Sequence, residues 1–168
     1  MSFDEIYNAH YRELKRFSRQ LNHSSEKSED LVQETFMKLY LELGKNKSIK
    51  NPRAWLYTVL LNLFRSQFTS QKKELQFMEA LDNQSILPYD LHAELISEEK
   101  QEILLKVLDT LPDNVREILV LYNNGFSYGE IAEIMDINPA SVGTTLVRAI
   151  NKLKEILKLH YHEMFEQN

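Results

Sequence analysis

Two helix starts stand close together between Ser127 and Leu157, and they constrain the fold more than any other stretch of the chain. Ser127 is placed to cap one helix, and Glu130 three residues later completes a capping box. Asn138 is placed to cap the next, with Pro139 in the first helical position, where its missing N–H is no loss. The turn between them is short. Ala132 supplies a small residue for the helix crossing, Asp136 tolerates the positive φ of the turn, and Val142 anchors the second helix. This is the spacing of a helix-turn-helix, whose second helix can enter a DNA major groove. Val142, Leu146, Ile150, Leu153 and Leu157 form the stripe expected to be buried on that helix. Its outward face offers Ala140, Ser141, Thr144, Thr145, Arg148 and Lys152. Hydroxyls and a small side chain suit base edges and thymine methyls, and the two cations suit phosphate or guanine. A helical hairpin that only packs is the competing reading.

The rest of the chain is written in the same helical idiom. Among 168 residues there are only 4 Gly and 4 Pro, and 43% are hydrophobic, enough to bury a core. An all-α fold of two small helical domains is expected. Apolar residues at Phe3, Ile6, Tyr7, Leu14, Phe17 and Leu21 mark a first helix, broken by Asn22-His23-Ser24-Ser25. A second opens at Ser28 or at Glu29-Asp30, carries Val32, Phe36, Leu39 and Leu43 on one face, and stops at Gly44. A basic loop, Lys45 to Lys50, leads to Asn51-Pro52, a cap followed by Pro that begins a third helix. Helices from about Ser97 to Leu108 and from Pro112 to Tyr122 precede the helix-turn-helix, the latter stopped by Asn124-Gly125.

Charge divides the chain. Its net of −5 argues against a nucleic-acid binder until the distribution is read. Residues 1–73 carry 13 Lys+Arg against 8 Asp+Glu, a net of +5. Residues 74–101 carry 1 against 7, a net of −6, and residues 102–168 carry 6 against 10, a net of −4. Glu74 to Glu99 holds acids without a single Lys or Arg and loses helical period around Asn83–Pro88, so a flexible acidic linker is expected over 74–99, between domains at 1–73 and 100–168.

The third helix is apolar around most of its wheel, but Thr58, Asn62, Arg65, Ser66 and Thr69 share one face that Lys72 and Lys73 continue. Aromatic rings between basic segments are how single-stranded DNA is held, with bases on rings and cations along phosphates. Trp55, Tyr57, Phe64 and Phe68 stand at helical spacing, and rings so spaced are more often core than a stacking platform. On the second helix, Asp30, Gln33 and Glu34 read as a solvated face, with Leu31 exposed beside them.

Enzyme chemistry finds no foothold. There is no Gly-rich phosphate loop, no nucleophile elbow and no Cys for a thiolate metal site. His160 and His162 are two apart and point to different sides of a helix, so they cannot share a metal. No catalytic residue, cofactor, metal or small-molecule substrate is expected. The absence of Cys, of a secretory leader and of an apolar run of roughly 20 residues points to the cytoplasm without membrane insertion.

Three segments in order, Asp30-Leu31-Val32-Gln33-Glu34-Thr35-Phe36, Asn51-Pro52-Arg53-Ala54-Trp55-Leu56-Tyr57 through Asn62-Leu63, and Leu111-Pro112 through Arg148-Ala149, resemble the extracytoplasmic-function sigma factors, small two-domain initiation subunits of bacterial RNA polymerase. The resemblance implies that Asp30, Leu31, Gln33, Glu34 and Phe36 dock on the clamp helices of the largest polymerase subunit. It implies that Lys47, Lys50, Trp55, Tyr57, Thr58, Asn62, Arg65, Ser66, Lys72 and Lys73 open the minus-ten element and hold a flipped base. Ser127, Tyr128, Ala140, Ser141, Thr144, Thr145, Arg148 and Lys152 would read the minus-thirty-five element. An anti-sigma factor is the implied regulator.

Two departures weaken phosphate attraction. Many members carry Lys-Ser-Arg where this chain has Gly143-Thr144-Thr145, and the minus-ten helix often ends in a run of arginines. Gly143 also weakens its helix by up to about 1 kcal/mol relative to Ala. A stand-alone helix-turn-helix regulator, or a sigma-like antagonist that holds polymerase without reading DNA, are the alternatives.

Overall fold

The structure, a computed structural model, describes residues 1–21, 25–45, 48–78 and 107–165, with the side chains of 25, 68–78 and 160–165 outside that description. All regular structure among the described residues is helical. The chain divides into two compact units, Met1–Tyr89 and Asp90–Asn168. The acidic segment read as a linker lies outside the described residues except at its start, where the third helix runs on to Met78.

The first unit is three helices that all pack on one another: α1 (Phe3–Leu21), α2 (Ser25–Gly44) and α3 (Pro52–Met78). A capping box opens α1: Glu5 N–H donates to Ser2 Oγ at 3.3 Å and Ser2 N–H to Glu5 Oε2 at 2.7 Å. α3 opens as its sequence indicated, with Ala54 N–H donating to Asn51 Oδ1 at 3.1 Å.

α2 begins at Ser25, ahead of the expected Ser28 or Glu29-Asp30. The Ser28 hydroxyl is not a cap but serves the helix interface. It donates to the Ser18 carbonyl at 3.3 Å, and the Ser18 hydroxyl donates back to the Ser28 carbonyl at 3.1 Å. Two buried hydroxyls are thereby satisfied where small residues let α1 and α2 approach. Around them Ile6, Leu14, Phe17, Leu31, Val32, Phe36, Leu39, Leu56, Tyr57, Leu60, Leu61 and Phe64 form the core.

In the second unit a helical segment ends at Asp109, followed by α4 (Asp113–Asn123), α5 (Tyr128–Met135) and α6 (Pro139–Phe165). Pro112 stands at the α4 N-cap rather than inside the helix. Buried Arg116 ties α4 to the preceding segment, with Nη1 at 2.9 Å from Asp109 Oδ1 and Nη2 at 3.5 Å from Asp113 Oδ1. Gly125, at φ 81°, turns the chain out of α4.

The caps around α5 are those the residues called for. Glu130 N–H donates to Ser127 Oγ at 3.3 Å, and Ser127 N–H donates to Glu130 Oε2 at 2.8 Å. Asp136 closes α5 in the left-handed region at φ 54° and ψ 50°. Ala140 N–H donates to Asn138 Oδ1 at 2.9 Å, which opens α6. Val142, Leu146 and Ala149 are buried, while Ile150, Leu153 and Leu157 are half-buried. Replacing Ser127 with Ala is expected to destabilise the second unit by about 1 kcal/mol, read as a shifted denaturation midpoint with an unchanged slope.

Candidate nucleic-acid and protein interfaces

The two capped starts hold α5 and α6 as a helix-turn-helix; the two helices pack together, Ile131, Ala132 and Met135 are buried on one and Val142 and Leu146 on the other, and this decides which side of α6 faces water. That side carries Ala140, Ser141, Thr144, Arg148 and Lys152, all exposed, with Thr145 half-buried at its edge. Ser141 Oγ donates to the Asn138 carbonyl at 2.6 Å, so the hydroxyl offers lone pairs outward as an acceptor. The Ser127 hydroxyl is likewise engaged, donating to Glu130 Oε2 at 2.7 Å. Tyr128 is exposed beside Tyr122, ring centroids 5.9 Å apart. Val147 is also exposed on α6 and extends the face beside Ala140 and Thr144.

On α3, Asn62 and Ser66 are exposed, and Trp55, Thr58 and Arg65 are half-buried. The Thr58 hydroxyl donates back to the Ala54 carbonyl at 2.9 Å. Lys50 is exposed ahead of the helix. Lys47 lies outside the described residues; Lys72 and Lys73 are within α3, but their side chains lie outside the described ones.

Tyr57 does not join this surface. It is fully buried, its ring centroid 4.5 Å from that of Phe17, with the Arg53 guanidinium 5.7 Å from its ring and Arg53 Nε 3.4 Å from Glu13 Oε2. Burial, with the Glu13 carboxylate adding to it, pushes the Tyr57 phenol up to about 12. A ring so enclosed cannot stack on a base, and its role is core.

On α2, Asp30 and Gln33 are exposed and Glu34 half-buried, whereas Leu31 and Phe36 are buried at 0% and 4% exposure. The physical reason is that α1 and α3 flank α2, so its buried arc is broad and takes in Ser28, Leu31, Val32, Thr35, Phe36 and Leu39. What sequence reasoning missed lies one turn on. Met37, Tyr40 and Leu41 are 62%, 64% and 57% exposed and continue the Asp30–Gln33 side of the helix. Tyr40 meets Phe3 edge-on at 5.6 Å, at the end of an aromatic run in which Phe3 stacks on Tyr7 and Tyr7 on Tyr11. Lys15 Nζ bridges Glu29 Oε1 at 3.1 Å and holds the Glu29 carboxyl below its ordinary range by hydrogen bonding, pinning α1 to α2 beside this surface.

The chain matches sigma-70 region 2 over residues 6–74 and sigma-70 region 4 over residues 101–153. It is 32% identical to the ECF RNA polymerase sigma factor SigM of Bacillus subtilis over 157 residues, which cover 93% of this chain and 95% of that one. The chain is an extracytoplasmic-function sigma factor. RNA polymerase sigma factor YlaC of the same organism is also 32% identical, across 92% of this chain and 91% of the relative. Among solved structures, the sigma factor RpoE in complex with the anti-sigma factor NepR from Bartonella quintana is similar with a TM-score of 0.78 and 28% identity, covering 94% of this chain and 98% of that one. CnrH in complex with the cytosolic domain of CnrY shares the fold, with a TM-score of 0.66 at 21% identity.

As a sigma factor, the chain is a transcription initiation protein with both DNA-facing regions of its family in order. Among the described residues no group of His, Asp and Glu is placed to hold a metal ion, and no helix is long and apolar enough to cross a membrane. The side chains of His160 and His162 lie outside the described ones.

Proposed function

We propose that this sigma factor binds core RNA polymerase through the outward side of α2, opens the minus-ten element over α3 and the Lys45–Lys50 loop, and reads the minus-thirty-five element with the outward face of α6. The observation that carries this reading is the row Ala140, Ser141, Thr144, Arg148 and Lys152, exposed together on a helix whose start is fixed by the Asn138 cap, as that of its partner helix is by the Ser127–Glu130 box. A row of small, hydroxyl and cationic side chains reads bases and phosphates together. On α2 the docking set is Asp30, Gln33 and Glu34 with Met37, Tyr40 and Leu41, while Leu31 and Phe36 hold the helix from within. On α3 the minus-ten set is Lys50, Trp55, Thr58, Asn62, Arg65 and Ser66, joined by Lys47, Lys72 and Lys73.

The domains that carry these roles span 1–73 and 100–168, with 74–99 as the linker. The protein works by binding. Energy gained on unstacked bases offsets the opening of the duplex without ATP, and no catalytic group, cofactor or small-molecule substrate takes part. It acts in the cytoplasm. An anti-sigma factor holds it idle, a reading supported by the complex in which RpoE was solved.

Run-off transcription with purified core polymerase on pooled genomic promoters tests the reading. Discrete start sites that depend on the protein are expected. Binding to core without new starts would replace it with the antagonist. Replacing Arg148 and Lys152 with Ala together should lower promoter affinity and flatten its salt dependence by about two phosphates' worth of slope, with core binding unchanged. An unchanged salt slope would remove α6 from the phosphate contacts.

A further inference from the structure

We propose that Gly143 is a positioning residue for promoter recognition. Its missing Cβ admits the Tyr128 ring against α6, where the phenol hydroxyl becomes an uncharged donor to a promoter phosphate. The proposal rests on the reading of α6 as the minus-thirty-five helix.

A Cβ placed on Gly143 would meet Tyr128 Cε2 at 3.2 Å and Cδ2 at 3.7 Å, and no other atom comes as near. The first distance is tighter than ordinary carbon contact, so the ring edge would have to move. Nothing in the backbone asks for glycine here. Gly143 lies inside α6, and Gly125 is the glycine that uses a positive φ. The helix therefore carries a poor helix former at a position whose evident benefit is room for a neighbouring ring. Gly44 and Gly129 have open space around theirs.

The ring also meets Tyr122, at 5.9 Å between centroids and 51° between planes, and both tyrosines stay exposed. Gly143 sits on the flank of α6, between the buried stripe of Val142 and Leu146 and the outward row of Ala140, Thr144 and Val147. Tyr128 is thus wedged at the margin of the face proposed to meet DNA. That face has Arg148 and Lys152 as its cations, and the family's frequent Lys stands where this chain has Gly143. A lysine stem there would need the space the ring fills. A phenol at that margin replaces a cationic phosphate contact with a hydrogen bond from an uncharged donor to the phosphate, which contributes affinity without releasing a counterion.

The test is binding of holoenzyme, assembled from core polymerase and the full chain, to a promoter found by run-off transcription, across a salt series. Gly143→Ala and Tyr128→Phe are each expected to weaken binding by about tenfold, as for one lost hydrogen bond to a charged group, with the salt slope unchanged. Gly143→Ala should melt no lower than the parent, since alanine favours the helix. In a Tyr128→Ala background, Gly143→Ala should add nothing. Unchanged binding of Gly143→Ala, or an equal loss in both backgrounds, would overturn the proposal. Arg148→Ala separates the two failures. If it weakens binding while Gly143→Ala and Tyr128→Phe do not, only this proposal falls; if none of the three matters, the reading of α6 falls with it.

Discussion

Tyr57→Ala is expected to destabilise the first unit by about 3–5 kcal/mol, as for other large aromatic truncations in cores. That is a large share of the roughly 5–15 kcal/mol that holds a domain together. The ring is fully buried against Phe17, at the meeting of α1 and α3, in a core whose Leu14, Leu60 and Leu61 are likewise without exposed surface. Trp55 is the chain's single Trp and lies on α3, so its fluorescence reports unfolding of this unit directly. Asn62→Ala, on the exposed side of the same helix, should shift the midpoint by no more than about 0.5 kcal/mol while slowing promoter opening. Were Tyr57 a stacking ring for an unpaired base, its removal would leave the midpoint in place.

The phenol adds a pH signature. Its pKa rises from the ordinary 10 to about 12 in the folded chain, mainly through burial. The fold therefore keeps a proton that the unfolded chain releases. The stability tied to that group is complete below pH 10 and falls as the pH climbs from 10 towards 12. Tyr57→Phe should make the alkaline limb of the denaturation midpoint shallower in that window.

Local chemistry was legible in the sequence because it depends on near neighbours. The Ser127–Glu130 box, the Asn51 and Asn138 caps, the left-handed Asp136 and the turn at Gly125 are each decided within a few residues, and each forms as its residues indicate. Burial was less legible because it depends on how many helices surround a position. On α2 the stripe Val32, Phe36 and Leu39 identifies a core face, but only the flanking of α2 by both α1 and α3 takes Leu31 inside. On α3, Trp55 and Tyr57 are two apart and both aromatic, so composition cannot rank them; the approach of Phe17 does. Ser28 shows the same limit, since a hydroxyl suited to capping is used across the interface with Ser18. The signal for Met37, Tyr40 and Leu41 was present but unread. Phe36 to Leu43 is apolar except for Lys38 and Glu42, more apolar surface than one helix face can bury.

That surplus sets the last expectation. Tyr40→Glu should weaken binding to core polymerase by at least about thirtyfold, the scale of a hot-spot aromatic of 2 kcal/mol or more, with Met37→Ala and Leu41→Ala contributing smaller losses. Three large apolar side chains more than half exposed on one helix side form the kind of patch that marks a protein interface. Asp30 and Gln33 supply its polar rim, and charged groups at a rim act mainly on association rate. Asp30→Ala should accordingly slow association at low salt with little change at high salt, whereas Tyr40→Glu should raise the dissociation rate at any salt. The contrast with the buried neighbours is decisive. Leu31→Ala and Phe36→Ala should lose core binding only as the first unit unfolds, in step with Trp55 fluorescence, because their side chains face inward. Tyr40→Glu should lose it with the unfolding midpoint in place. Should Tyr40→Glu bind core polymerase as tightly as the parent chain, the outward side of α2 would have to be free for a different partner.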